Sequence, residues 1–550
     1  MSCSASRVRH AATILLLSLA APFARAQGTA IVPPSDLAYA DIDRLAELGV
    51  LDTVIIGQRP YSRREITRLV RSARETLARL EGDPRREGVS APANVILGRL
   101  AERFDGGSFA GDAGPTVNLI DALSLTFGTT DALRRAFAGS LASGIEATID
   151  PLAVRRLGDP APRGQSTALE LSQRIEPTSW LSFQATERLE HRAPRDTIVA
   201  RRAGEILAAG ARARFGNVAL RLGREQVAWA QLPGDGLFFA SDAPSLDLVA
   251  LSGDHPFALP GFLRLLGPTQ ATLVLAEVGP SVVRSHSKLL AYKVSVQPSR
   301  FLELGTTFMT HYGGSGGRAS GLGDRLVDFL PVVDIFRTHN YTDTTRTLDV
   351  DSDKLMGVDG RLRIEPLGGL LMTWELLIDD FDVHRIPSLF SWDGAQTLGF
   401  VLPRVAGSPL TMQLSAKHTG VRTYTHGSLS NGITTRGLLL GDELGPDAKA
   451  FGATLRWEPT GPVRVALEGR SDSYSKATYT TDEQGTYFLI RRVGVASNEL
   501  RDRAIASLVA ELTDGLALTA RVAAERIRNA DFVGVSRRDY AAEIAIRFAR

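Results

Sequence analysis

From about Thr116 to the end of the chain, apolar and polar residues alternate with a period of two. Leu290, Tyr292, Val294 and Val296 form one such run. Met356, Val358, Leu362 and Ile364 oppose Asp359, Arg361, Arg363 and Glu365. Leu370, Met372, Trp374, Leu376 and Ile378 oppose Thr373, Glu375 and Asp379. Phe451, Ala453, Leu455 and Trp457 oppose Thr454, Arg456 and Glu458, and the last run sets Tyr540, Ala542, Ile544, Ile546 and Phe548 on one side. A period of two puts successive side chains on opposite faces of a β-strand. One face is apolar and the other carries charges of both signs, so the sheet must divide an apolar medium from a wet one. A sandwich does this by burying one face, and a membrane barrel by turning it to lipid.

The connections favour the barrel. Gln297-Pro298-Ser299-Arg300, Glu365-Pro366-Leu367-Gly368-Gly369, Glu458-Pro459-Thr460-Gly461-Pro462 and Thr513-Asp514-Gly515 are tight turns. Between them run long polar segments, roughly 227–268, 312–353, 421–448 and 471–500. Short turns at one rim and long loops at the other characterise outer-membrane barrels, whose strand number is even in bacterial single-chain examples. Strand candidates number sixteen to nineteen, with 245–252 and 484–493 ambiguous. The expected fold is an all-β transmembrane antiparallel β-barrel of about 18 strands over residues 111–550. Trp374 and Trp457 lie on its apolar face and are expected at a lipid interface.

Residues 1–26 read as a signal peptide, with basic Arg7, Arg9 and His10, an apolar run from Ala11 to Ala21, and Ala24-Arg25-Ala26 before the cleavage point. Beyond it, no stretch approaches the ~18 apolar residues of a spanning helix. The mean hydropathy of −0.02 suits strands that alternate. With Arg7, Arg9 and Arg25 set aside, 60 basic residues face 61 acidic ones, which leaves no electrostatic footprint for nucleic acid. The lone cysteine, Cys3, lies in the leader, so the exported chain has no disulfide, thiol nucleophile or cysteine-held metal.

Residues 27–110 have the helical period. Ser35 or Asp36 can cap a helix that ends at Gly49. Ser62 and Glu65 form a capping-box pattern before a second helix whose apolar stripe is Ile66, Leu69, Val70, Ala73, Leu77 and Leu80. Its other faces carry Arg63, Arg64, Arg68, Arg71, Arg74 and Arg79, which could meet acids inside the barrel. A third helix is expected from Ala93 to Arg103. The unit is expected to plug the periplasmic end. A competing reading takes Val54-Ile55-Ile56-Gly57 and the flanking helices as one surface-layer-type repeat touching peptidoglycan.

Enzyme patterns are absent. There is no His-Glu-x-x-His, and the one Gly-x-Ser-x-Gly spacing, Gly313–Gly317, lies in a glycine-rich loop and not at a strand-to-helix elbow. Asp349-Val350-Asp351-Ser352-Asp353 opens like a calcium loop, but Lys354 and Gly360 occupy its glycine and glutamate positions. Gly313-Gly314-Ser315-Gly316-Gly317 has no following Lys-Ser/Thr and reads as a flexible loop. No catalytic residue, metal or cofactor is expected.

Three passages resemble the capsule-assembly Wzi family of outer-membrane barrels. The first is Tyr39-Ala40-Asp41-Ile42-Asp43-Arg44-Leu45 with Gly49 and Arg59-Pro60-Tyr61-Ser62-Arg63-Arg64. The second is Leu222-Gly223-Arg224-Glu225-Gln226 with Trp229, Gly234, Ser241 and Ala243-Pro244. The third is Tyr424-Thr425-His426-Gly427 followed by Asn431-Gly432, Arg436-Gly437, Gly441 and Gly445-Pro446-Asp447-Ala448. The resemblance implies a barrel with a helical plug and a lectin-like role toward capsular or extracellular polysaccharide, in contact with outer-membrane lipid. The alternative is a porin-like channel for small solutes.

Sugar recognition needs aromatic faces and planar hydrogen-bonding groups, and arginine can grip a uronate carboxylate with two bonds. The candidates are His426, Tyr424, Arg436, Arg224, Trp229, Arg361 and Arg363, on lumenal faces or loops. Competing roles are ion pairs of Arg361 and Arg363 with Glu375 and Asp379 across the wall, and a loop anchor for Trp229. His426, Tyr424 and Arg436 are expected to retain polysaccharide and not to support folding.

Overall fold

The structure is a computed structural model. It describes residues 29–80, 88–104, 115–133, 135–137, 147–149, 152, 163–195, 201–280, 285–315, 352–379, 394–421, 423–424, 432–459, 461–475, 477–481, 487–492, 498–513 and 515–550. The leader, His426 and the glycine and aspartate loops at 316–317 and 349–351 lie outside the described residues.

The alternating segments become 18 long strands. They are β1 Thr116–Thr130, β2 Gly164–Thr178, β3 Leu181–Pro194, β4 Arg202–Phe215, β5 Val218–Glu225 and β6 Leu246–Gly253. Then come β7 Pro268–Glu277, β8 Lys288–Ser299, β9 Leu302–Tyr312, β10 Ser352–Ile364, β11 Leu370–Asp379 and β12 Gly394–Leu402. The last six are β13 Leu410–Thr419, β14 Ala448–Trp457, β15 Val463–Tyr474, β16 Glu499–Thr513, β17 Leu516–Ala530 and β18 Val535–Ala549. Each pairs antiparallel with its sequence neighbours. β1 also pairs with β18, from Ala122↔Ala549 to Thr130↔Ala541, so the sheet closes. Closure removes the edge strands, the condition for placing a sheet in lipid.

Two details differ from the sequence expectation. The segment 227–268 is not one loop, because Leu246–Gly253 inside it is barrel strand β6. The ambiguous segment near 484–493 is instead half of a small hairpin, Ala477–Thr481 with Tyr487–Arg492, outside the barrel wall. Both segments can form strands; only the first has neighbours on both sides that continue its register.

The faces sort as the alternation requires. Leu220, Leu222, Val249, Leu251, Leu467 and Val522 are exposed on the outside. Trp180 and Phe215 lie 6.1 Å apart on the outer surface at the short-turn rim, and Trp457 is exposed at the same rim. Inside, charged residues are buried in partnership. Arg501 and Arg503 of β16 meet Glu525 of β17 at 3.0 and 3.2 Å, and Arg503 meets Asp472 of β15 at 3.2 Å.

Three helices precede the barrel: α1 Ala38–Glu47, α2 Arg63–Leu80 and α3 Ser90–Phe104. Asp36 Oδ1 accepts the Ala38 amide at 2.8 Å at the start of α1. Gly49, with φ +73°, ends it, and its amide donates to Ala46. Ser62 Oγ accepts the Glu65 amide at 3.1 Å, as the capping box requires. The apolar stripe of α2 packs with Ile42, Leu45, Ile96, Leu97 and Leu100 in one small core. Two of the α2 arginines do not meet barrel acids. Arg68 pairs with Glu65 at 2.7 Å and Arg79 with Asp52 at 2.5 Å, both within the helical unit.

The wall is met chiefly by α1 and the turn at 54–58, with Arg99 of α3 pairing with Glu511 at 3.2 Å. Arg44 donates to the Pro403 carbonyl and Thr411 Oγ1 and pairs with Glu458 at 2.7 Å. Glu47 pairs with Arg456, and Asp41 with Arg464 at 2.9 Å. The Ile56 and Gly57 amides both donate to the Glu303 carboxylate at 2.9 Å, and Gln58 reaches Gln270 and Ser295. Val54-Ile55-Ile56-Gly57 is therefore buried inside the barrel.

Candidate functional site

From the opposite, long-loop end, two connections fold inward. One is 226–245 between β5 and β6; the other is the described part of 420–447 between β13 and β14. They share an apolar core containing Val227, Trp229, Leu237, Phe238, Phe239, Tyr424, Ile433 and Leu440. Charged wall residues catch their backbones. Glu375 accepts the amides of Gln231 at 3.1 Å and Leu237 at 2.9 Å. Gln231 donates to Asp359 at 2.6 Å and Glu303 at 3.2 Å. Glu303 thus holds a loop from one end and the helical unit from the other. Lys417 binds Asp235 at 2.8 Å and Asp442 at 2.6 Å, tying one loop to the other.

Of the seven residues expected to touch sugar, the six that are described separate into different places, and His426 lies outside the described residues. Trp229 and Tyr424 are core. Trp229 is 2% exposed and packs edge-on to Phe239, with centroids 4.9 Å apart. Tyr424 is 1% exposed; its hydroxyl donates to the Leu237 carbonyl at 2.7 Å and accepts the Asp442 amide at 3.1 Å. Its own amide donates to Asp379 at 3.0 Å. The expectation that Tyr424 stands apart from folding is corrected, because its ring joins the two infolded loops. Burial also pushes its hydroxyl well above the ordinary phenol range.

Arg361 and Arg363 lie at the helical-unit end. The register sets Arg361 opposite Thr373 and Glu303, and Glu375 opposite Asp359. The same register sets Arg363 opposite Leu371, far from Asp379, and the Glu375 and Asp379 carboxylates accept loop amides. Arg363 bonds Glu365 at 2.8 Å and the Glu47 carbonyl at 2.5 Å. Arg224 sits on the outward face, two positions beyond exposed Leu222, and grips Asp247 with two bonds of 2.7 Å. It is not lumenal, as had been expected.

Arg436 remains at the outer end. Thr434–Thr435 and Leu438–Leu439 form a hairpin whose two-residue turn, Arg436-Gly437, has positive φ at both positions. An arginine with φ +51° is held there by a 2.5 Å pair with Glu205 on β4. Below lies a lumenal cavity of about 890 Å³ between the infolded loops, the helical unit and strands β1–β3 and β15–β18. Gln226, Ser241, Asp242, Glu443, Glu170 and Arg470 line it. These six side chains are polar and of both charges. Sequence reasoning missed the loop-holding carboxylates Glu303, Glu375 and Asp379. They look like any inward strand residue until the loop amides are placed.

Among solved structures, the Escherichia coli outer-membrane protein Wzi is described as a carbohydrate-binding β-barrel involved in group 1 capsule assembly. It is 14% identical, with a TM-score of 0.65, and the match covers 94% of this chain and 99% of that one. Acinetobacter baumannii OccAB2 is 13% identical with a TM-score of 0.43 over 78% of this chain and 98% of that one. A search of curated protein sequences gives no match. The family profile described as capsule assembly protein Wzi matches residues 147–541. That span runs from the loop after β1 to the middle of β18 and takes in both infolded loops, so the chain belongs to the Wzi capsule assembly family.

Proposed function

We propose that the protein is a non-enzymatic outer-membrane lectin that holds capsular or extracellular polysaccharide at the cell surface. The observation that carries this reading is the occupied lumen within a family whose E. coli member is described as carbohydrate-binding. A barrel stoppered by a helical unit at one end and by two cross-tied loops at the other is built to present a surface. Residues 1–26 direct export, residues 27–110 form the plug and residues 111–550 the barrel. The sugar-contacting surface centres on Arg436, His426 and the polar residues above the lumenal cavity. Cells carrying Arg436→Ala with His426→Ala should hold less polysaccharide while the barrel keeps its heat-resistant gel mobility. Undiminished retention by a folded double variant would reject this surface as the binding site.

The cavity beside β1–β3 and β15–β18 favours a second reading, a path for small solutes. Single-channel conductance of the intact protein separates the two. A lectin gives conductance near the bilayer baseline, and a porin gives discrete open levels.

A further inference from the structure

On the outer wall, near the long-loop rim, the lipid-facing side of β16–β18 changes character. Asp502, Arg526 and Arg538 stand directly opposite one another across these three strands. Their neighbours Arg501, Arg503, Glu525, Ile527 and Asp539 are buried inward, so these three point out. Asp502 is taken by Arg528 at 2.8 Å and by Ser471 Oγ at 2.8 Å. Arg526 and Arg538 have no ion pair among the described residues. Like charges directly opposite across a sheet repel. Three guanidiniums against one carboxylate leave a net positive charge on the outer face that an anion would balance. Arginine on the lipid face is tolerated near the interface, where its cost falls to about 0–1 kcal/mol, and not at mid-membrane.

A second feature adjoins the first. One same-face step along the strands, about 7 Å away, Ala504 and Ala524 lie opposite each other, with Tyr540 beyond. Together with Ala506 and Ala542 they floor an outward groove of about 760 Å³ flanked by Leu467 and Val522. Alanines leave a trough where leucines elsewhere on the wall stand proud. Arg195 and Asp131 lie on its rim, with Asp131 accepting the Tyr540 amide at 2.5 Å.

We infer that β16–β18 carry a lipid site on the outer wall, taking one acyl chain of an outer-leaflet lipid in the alanine groove and its phosphate between Arg526 and Arg538. Two guanidiniums facing one phosphate can each donate two charge-assisted bonds. The groove is continuous with the apolar belt, so the occupant is a membrane lipid and not a soluble anion. Two guanidiniums without an internal counter-charge among the described residues favour a headgroup of net negative charge over a zwitterionic or neutral one.

The test is binding of fluorescent diphosphoryl lipid A to the full mature protein in neutral-detergent micelles. Parent protein should bind it at least tenfold more tightly than a dephosphorylated lipid with the same acyl chains. Arg526→Glu with Arg538→Glu should lose at least tenfold affinity. Ala524→Phe, which fills the trough and leaves the arginines, should lose it too. Folding of each variant is read by heat-modifiable gel mobility, and Arg526→Gln with Arg538→Gln replaces the double glutamate if that variant does not fold. Parent-like binding by the folded arginine and groove variants would overturn the site. Displacement of the lipid by millimolar inorganic phosphate would overturn the lipid assignment.

Discussion

At the scale of single residues, this protein uses buried polar groups as clamps on loops. Tyr424 is the clearest case. Tyr424→Phe keeps the ring but strands the Leu237 carbonyl and the Asp442 amide, at a cost of about 1–3 kcal/mol. Trp229→Ala empties part of the shared core and should cost about 3–5 kcal/mol. Both are read as lower thermal midpoints of the detergent-solubilised barrel, and an unshifted midpoint would remove these residues from the clamp. Arg436→Ala should move the midpoint little, because its pair with Glu205 is partly exposed. These roles were not legible in the sequence. Tyrosine and tryptophan beside glycines in a loop look the same whether they face sugar or each other. What decides between the two is the wall carboxylates, contributed from strands far off in the chain. Arg224 escaped for a simpler reason: it lies outward in the same alternation that was legible further along, but its paired Asp247 sits on a strand that the sequence left ambiguous.

At the scale of elements, helices and strands follow the local pattern closely. The Asp36 and Ser62 caps, Gly49 at the helix end and the strand alternation were all legible, because each depends on neighbours within a few positions. The docking of those elements was not. The arginine-rich α2 looked like the face that meets the barrel, yet most of the described wall contacts come from α1 and the turn at 54–58. Lys417 joins two loops by buried pairs with Asp235 and Asp442. Lys417→Met leaves both carboxylates buried without their ammonium counter-charge, a loss of about 3–5 kcal/mol. Its expected signature is rapid proteolytic nicking within 226–245 and 432–447 while the barrel strands survive. Equal resistance in parent and variant would show that the apolar core alone holds the loops.

At the scale of the whole molecule, the helical unit is held by ion pairs that acid can break. Burial alone would raise the Glu47 carboxyl, but the Arg456 and Arg44 guanidiniums outweigh it and hold it below its ordinary value. At Asp36, burial is likewise outweighed by Arg103. Glu65, raised by burial despite Arg68, works the other way. A depressed carboxyl stabilises the docked state fully above its unfolded value, about 4, and the benefit fades as pH falls through the depressed value. Glu47, which faces the wall, should therefore let the unit loosen below about pH 4, seen as conductance rising in planar bilayers. Removing residues 31–105 should raise conductance at every pH and erase that acid step. An unchanged conductance would mean that the infolded loops seal the barrel alone.

A lumen occupied from both ends also changes what limits the number of copies. An open pore makes the envelope leakier with each molecule added, so its abundance is capped by permeability. A stoppered barrel carries no such charge on the cell, and its density is limited only by membrane area. A long repeating polymer lying over a dense field of these barrels meets many at once. Linked contacts of that kind can exceed a single site's affinity by about 10²–10⁴-fold. On the proposed polysaccharide-holding role, each barrel can then bind weakly and exchange quickly, while the coat as a whole stays in place.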